Sequence, residues 1–208
     1  MNTDRLYRVK PEDEEKLSQL LTECFSHDPL YLQLIPQNDT RKKLLPELMR
    51  CDLDEFFKDC EIYADSPDLN GIIVVSDASN PCSPLKHFLA SAQALVRTGA
   101  YLISEDPSLK TLWNFIKGKD YLNSVWTDEL GTNRRMHIVY FAVRPSMQGK
   151  GIASKMMKEV LHYADQHQLV TSLETHNPKN VQMYEHYGFE LFEVVQKHFA
   201  LKQFCMVR

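Results

Sequence analysis

Residues 138 to 164 constrain this chain more than any other stretch. An apolar run from Ile138 to Val143 leads through Arg144, Pro145, Ser146, Met147, Gln148, Gly149, Lys150 and Gly151 into an amphipathic stretch from Ile152 to Ala164. That order predicts a strand feeding a helix through a glycine-containing turn. Without a Cβ at Gly149 and Gly151 the backbone can turn tightly and let a ligand approach several N–H groups. The following helix aims orphan N–H donors and the positive end of its dipole at the same point. A pyrophosphate suits such a place. The dinucleotide-binding βαβ unit is the competing reading, because Glu174 ends the next strand where a ribose-binding carboxylate would sit. That unit sets its first glycine almost directly after the strand, whereas Arg144 to Gln148 intervene here, and Ala153 or Ser154 replaces its third glycine. The Gly-x-x-x-x-Gly-Lys-Ser/Thr phosphate loop is absent.

The rest of the composition narrows the class. A chain of 208 residues can bury a core without disulfide or metal staples, and it reads as one domain over 1–208. Five cysteines (Cys24, Cys51, Cys60, Cys82, Cys205) are odd in number and lack a Cys-x-x-Cys pair, which points away from a disulfide framework or structural zinc and toward a reducing cytoplasm. No stretch approaches the roughly 20 apolar residues of a membrane span. A net charge of −4 gives no basic field for nucleic acid. The histidines form no metal-ligand grouping; His162 and His167 sit five apart, off the i, i+4 face, so no metal is expected.

Along the chain, Leu6 to Val9 reads as a strand and a helix begins at Pro11, with Leu17, Leu20, Leu21, Cys24 and Phe25 on one face. A second helical pattern runs from Leu44 to Cys60, with Pro46 marking its first turn or a break. Glu61 to Ala64 and Gly71 to Ser76 then read as strands. Helical patterns headed by Pro84 and Pro107 fill residues 77–132, which hold both tryptophans, Trp113 and Trp126, together with Tyr101 and Tyr121. These aromatics either anchor the insertion to the core or wall an acceptor pocket. Alternation from Glu190 to Val207 offers strands to a homodimer partner.

Two motifs occur in a set order. Gln148, Gly151 and Ala153 form Gln-x-x-Gly-x-Ala, which resembles the pyrophosphate loop of the GNAT superfamily, the acyl-CoA-dependent N-acyltransferases. Asn177-Pro-Lys-Asn180-Val-Gln-Met-Tyr184-Glu-His-Tyr187-Gly188-Phe189 resembles that superfamily's second signature. The likeness is close over residues 135 to 190 and extends over residues 1 to 75 only in the order of elements.

The resemblance implies an α/β fold in which a mixed, largely antiparallel central sheet is flanked by helices, with 77–132 as a helical insertion between the third and fourth strands. It also implies an N-acetyltransferase that moves an acetyl group from acetyl-CoA to a primary amine, a small molecule rather than a protein, by direct attack in a ternary complex. The alternative is a non-catalytic acyl-CoA-binding or sensing protein with the same fold. Strands His137 to Val143 and Leu169 to Thr175 are then expected to splay. Phe141 and Val143 would hold the pantetheine arm through their main chain. Gln148, Gly149, Lys150, Gly151, Ala153 and Ser154 would surround the pyrophosphate, and Asn177 and Asn180 would contact the pantetheine arm. Tyr184 matches the residue that protonates the leaving thiolate, a role suited to a phenol. His137, or Glu174 or His176 at the end of the fifth strand, is a candidate base, with water as a further one.

Overall fold

The computed structural model describes residues 1, 5–77 and 98–208; the helix expected after Pro84 lies outside them. Among the described residues seven strands form one sheet: β1 (Tyr7–Arg8), β2 (Glu61–Ala64), β3 (Gly71–Asp77), β4 (Arg135–Val143), β5 (Val170–Thr175), β6 (Glu190–Val195) and β7 (Gln203–Val207). Their spatial order is β1-β2-β3-β4-β5-β7-β6. Among the described residues only β4 and β5 pair in parallel, and every other pairing is antiparallel. The fold class expected from the sequence is therefore the one observed.

The helices are α1 (Glu14–Phe25), α2 (Pro29–Leu34), α3 (Asn38–Asp59), α4 (Lys110–Lys117), α5 (Ile152–His167) and α6 (Pro178–His186), and residues 98–105 are also helical. They cover both sheet faces. The apolar stripes of α1, α2 and α3 bury against Ile62, Ala64, Ile72, Val74 and Ala142 on one face. Met156, Met157, Val160, Leu161 and Ala164 of α5 bury against Ile73, Val75, Met136, Ile138 and Leu173 on the other. This two-sided burial is why β3 reads as an unbroken apolar run.

Two local readings change. Pro46 neither opens nor breaks α3: it lies inside the helix. Burial of Leu44, Leu45, Leu48 and Met49 holds the helix together although Pro46 has no N–H to donate. The short α2 went unread in the sequence, although Asp28 caps it by accepting from the Leu30 N–H at 2.9 Å and Pro29 takes its first position. The 190–207 alternation forms two strands of the same sheet, with β7 between β5 and β6. That leaves β6 at the edge, exposing Leu191, Phe192 and Val194.

Candidate active site

The sheet opens at one defined point. β4 and β5 pair from Arg135–Val170 to Ile138–Leu173 and no further. At the same level β4 bulges against β3: Val75 faces Ile138 and Val74 faces Tyr140, leaving Val139 without a partner. The bulge resets the alternation, so Met136 and Ile138 share a face with Phe141 and Val143, while Val139 and Tyr140 both turn toward α1 and α3. Beyond it, the backbone of residues 139–143 is released from β5, as expected of the splayed strands.

Below the opening sits the glycine turn. Gly149 and Gly151 adopt φ of 77° and 81°, a region that suits glycine, and a Cβ on either would meet only open space. Gly151 is the N-cap of α5, and no side chain caps that end. The N–H groups of Ile152, Ala153 and Ser154 are therefore the orphan donors of the first turn, and Lys155 is the first to bond back, to Gly151 O at 2.9 Å. No acidic residue lies in that turn, and the exposed Lys150 stands beside it. The arrangement suits an anion. Gln148 instead donates Nε2 to Val143 O at 3.2 Å, tying the turn to the end of β4.

Across the opening, Asn177 caps α6 by accepting from the Lys179 N–H at 3.1 Å. Asn180 Nδ2 donates to Thr175 Oγ1 at 3.3 Å. Tyr184 is buried one helical face further along, edge-on to Phe189 at 5.9 Å. Burial pushes its phenol well above the ordinary value, with the Asp28 and Tyr187 charges adding to the effect. It therefore stays protonated at any physiological pH. Tyr187 closes the C-terminal end of α6 beside Gly188 and packs with the α5 side of the core.

His137 and Glu174 meet. His137 Nε2 lies 3.1 Å from Glu174 Oε2, and Nδ1 lies 2.9 Å from the Ser172 hydroxyl directly opposite on β5. Ser124, from the insertion, is 2.7 Å from Glu174 Oε1 and 3.0 Å from His137 Nε2, and Trp126 Nε1 donates to Glu174 Oε2 at 3.0 Å. One proton arrangement satisfies every member. Ser124 and Trp126 donate to the carboxylate, His137 Nε2–H points at it, and Ser172 donates to Nδ1. Burial pushes the Glu174 carboxyl up, but the His137 imidazole and the three hydrogen bonds outweigh it and hold the group below the ordinary glutamate range. Although Ser, His and Glu converge, they do not form a hydrolytic triad. Ser124 shares the imidazole nitrogen that faces the carboxylate, and Ser172, on the opposite nitrogen, is fully buried and out of reach of a substrate.

Comparison with known proteins agrees with this geometry. Residues 109–189 match the family model described as acetyltransferase (GNAT) family. Over that segment the chain is similar to the GNAT acetyltransferase family. Solved structures match almost end to end at low identity. One from Corynebacterium glutamicum, named histone acetyltransferase HPA2 and related acetyltransferase, is 17% identical with a TM-score of 0.61, covering 97% of this chain and 93% of that one. An N-acetyltransferase from Staphylococcus aureus Mu50 is 14% identical with a TM-score of 0.57, covering 98% and 99%. A mosquito arylalkylamine N-acetyltransferase-like 5b is 10% identical with a TM-score of 0.52, covering 98% of each. Such likenesses show the GNAT fold, while no curated protein sequence matches the chain. The family match over residues 109–189 supports acyl transfer in general as the reaction class.

Several contacts at the site were invisible to sequence reading. Ser124 and Trp126 reach the splay from the insertion, so Trp126 both anchors that segment and holds Glu174, whereas Trp113 is 56% exposed with Lys117 Nζ 5.5 Å from its ring centroid. His176 contacts Gln203 Oε1 through Nε2 at 3.2 Å, edge-on to Tyr121. Burial lowers the His176 imidazole's pKa, against the charge of Asp28. Tyr31, Asp52 and Tyr140 form a hydrogen-bonded series on the α1–α3 side of the bulge. Asp-Pro at residues 28–29 left a trace in the sequence, as a helix start.

Proposed function

We propose that this chain transfers an acetyl group from acetyl-CoA to a primary amine by direct attack within a ternary complex. The observation that carries this reading is the coincidence of three features at one place: the end of β4–β5 pairing, the unpartnered Val139, and an uncapped helix start reached through two left-handed glycines. The main-chain groups of Phe141 and the N–H of Val143, released from β5, suit the pantetheine arm, while the Val143 carbonyl accepts from Gln148. The turn from Gln148 to Ser154 suits the pyrophosphate, its N–H groups and Lys150 meeting the negative charge. Asn177 keeps its amide N–H₂ available beside the arm while its oxygen caps α6, and Asn180 borders the same mouth.

Thioester aminolysis needs a neutral amine, stabilisation of the developing oxyanion and a proton for the departing thiolate. Tyr184 starts protonated, as the acid must. We assign the base to the His137–Glu174 pair rather than to either residue alone. His137 is only 8% exposed and both its nitrogens are engaged, so a proton reaches the pair through the more accessible Ser124 hydroxyl. In that step Ser124 accepts the amine proton and passes its own to Glu174 Oε1, leaving the amine neutral and the carboxyl protonated.

The test is a thermal-shift series with acetyl-CoA and NADH, followed by CoA release on adding amines. At a hundredfold excess over its dissociation constant acetyl-CoA should add about 2.7 kcal/mol of stability, and NADH nothing. Protection by NADH alone would overturn the reading. Protection by acetyl-CoA with no turnover of any amine would leave the non-catalytic acyl-CoA-binding alternative.

A further inference from the structure

Tyr140 directly follows the bulge, and its ring turns away from the α5 face toward α1, α2 and α3. There it is edge-on to Phe25 at 4.9 Å and to Phe56 at 5.2 Å, while Phe25 is also edge-on to Tyr31 at 6.3 Å. The Tyr140 hydroxyl donates to Asp52 Oδ2 at 2.9 Å, which turns its oxygen toward the Tyr31 hydroxyl at 3.0 Å. Four rings and one carboxylate thus share one place, contributed by four separate elements.

Among the described residues Asp52 has no cationic partner; its hydrogen bond from Tyr140 is neutral, and the like charge of Glu55 on the same helix acts on it. Burial raises its carboxyl to about 7, the Glu55 charge adding to this and the Tyr140 hydrogen bond opposing it. An aspartate so enclosed is costly to ionise without a cation. Yet Phe25, Asp52, Phe56 and Tyr140 are only half-buried, so the group is not sealed in the core. A carboxylate walled by aromatic faces is chemically matched to an ammonium on an apolar skeleton, which it meets by charge while the rings supply cation–π and apolar contact.

We infer that the recess formed by Asp52, Phe25, Tyr31, Phe56 and Tyr140 receives the acceptor's primary ammonium, and that the acceptor is a compact amine carried on an aromatic or aliphatic skeleton. The inference rests on reading the adjacent splay as the transfer site. Acidic, phosphorylated and highly hydrophilic acceptors are disfavoured, because the lining offers no cation and little polar surface. Asp52 is a specificity residue: it selects and holds the amine, and the proton leaves later through Ser124.

The experiment uses phenethylamine, a minimal union of a ring and a primary ammonium, and 2-phenylethanol, its neutral counterpart. Calorimetry on the wild type, Asp52→Asn and Asp52→Glu, each also titrated with acetyl-CoA, is read beside phenethylamine-dependent CoA release. Phenethylamine should bind the wild type at least ten times more tightly than 2-phenylethanol. Asp52→Asn should erase that preference and raise the KM for phenethylamine at least tenfold with acetyl-CoA affinity retained, and Asp52→Glu should restore part of it. Equal binding of amine and alcohol to the wild type, or an undiminished preference in Asp52→Asn, overturns the inference, and the wild-type comparison decides even if the variant fails to fold. Acetyl-CoA binding without any phenethylamine binding sinks the ammonium recess and spares acyl transfer. Asp52-dependent phenethylamine binding without acetyl-CoA binding does the reverse.

Discussion

Ser124 and Glu174 lie fifty residues apart in the chain and 2.7 Å apart in the fold, hydroxyl to carboxylate. The insertion therefore supplies part of the polar cluster at the splay and is more than a surface addition. Removing that donor leaves a buried carboxylate one hydrogen bond short. Ser124→Ala should destabilise the protein by about 1–3 kcal/mol, the range for a charge-assisted buried bond. Denaturant unfolding measures it. If Ser124 also relays the amine proton, turnover should fall further than stability explains.

Two carboxylates near the site titrate in opposite senses. The Glu174 carboxyl is held below its unfolded value, so it contributes stability above that value and loses it as pH falls through the folded one. Asp52 is the reverse. Its folded value of about 7 exceeds the unfolded one, so as pH rises from about 4 toward 7 the unfolded chain releases a proton that the folded chain keeps, and stability falls. Asp52→Asn retains an acceptor for Tyr140 and should raise the melting temperature at pH 8 more than at pH 5. Melting curves at the two pH values check this, and an equal shift at both would remove the assigned role of burial.

Gly151→Val should cost about 1–2 kcal/mol of folding stability through its left-handed backbone alone, since a Cβ there meets no neighbour. The larger effect is on acetyl-CoA. Binding should drop by more than tenfold, because the side chain occupies the open space above the N–H groups. Calorimetry on the folded variant is the measurement, and unchanged affinity would mean that the turn serves only the chain path.

Tyr184→Phe should lower turnover by about 10²- to 10⁴-fold, the usual contribution of a positioned acid, with little change in acetyl-CoA affinity. Tyr187→Phe serves as the comparison and should be nearly silent. Steady-state kinetics on both variants, with an accepted amine, separates them. Like behaviour of the two would dissociate Tyr184 from proton donation.

The local motifs were legible because each concerns residues near in sequence. Gly149 and Gly151 announce a positive-φ turn, and the 3.6-residue spacing of Met156, Met157, Val160 and Leu161 announces the buried face of α5. Asn177 and Pro178 announce the start of α6. Pro46 misled in the other direction, since local propensity marks a break where burial of its neighbours carries α3 through.

By itself the sequence determined the element order, the phosphate-suited turn and the identity of the side chains on β4 and β5. It could not determine which of them touch. That Ser124 and Trp126 close on Glu174, that Val139 bulges where β5 leaves, and that Asp52 meets Tyr140 across 88 residues were decided only by tertiary packing. The physical reason is that polar partners in a buried cluster are chosen by proximity and by the cost of leaving a donor or acceptor unpaired, and neither has any period along the chain.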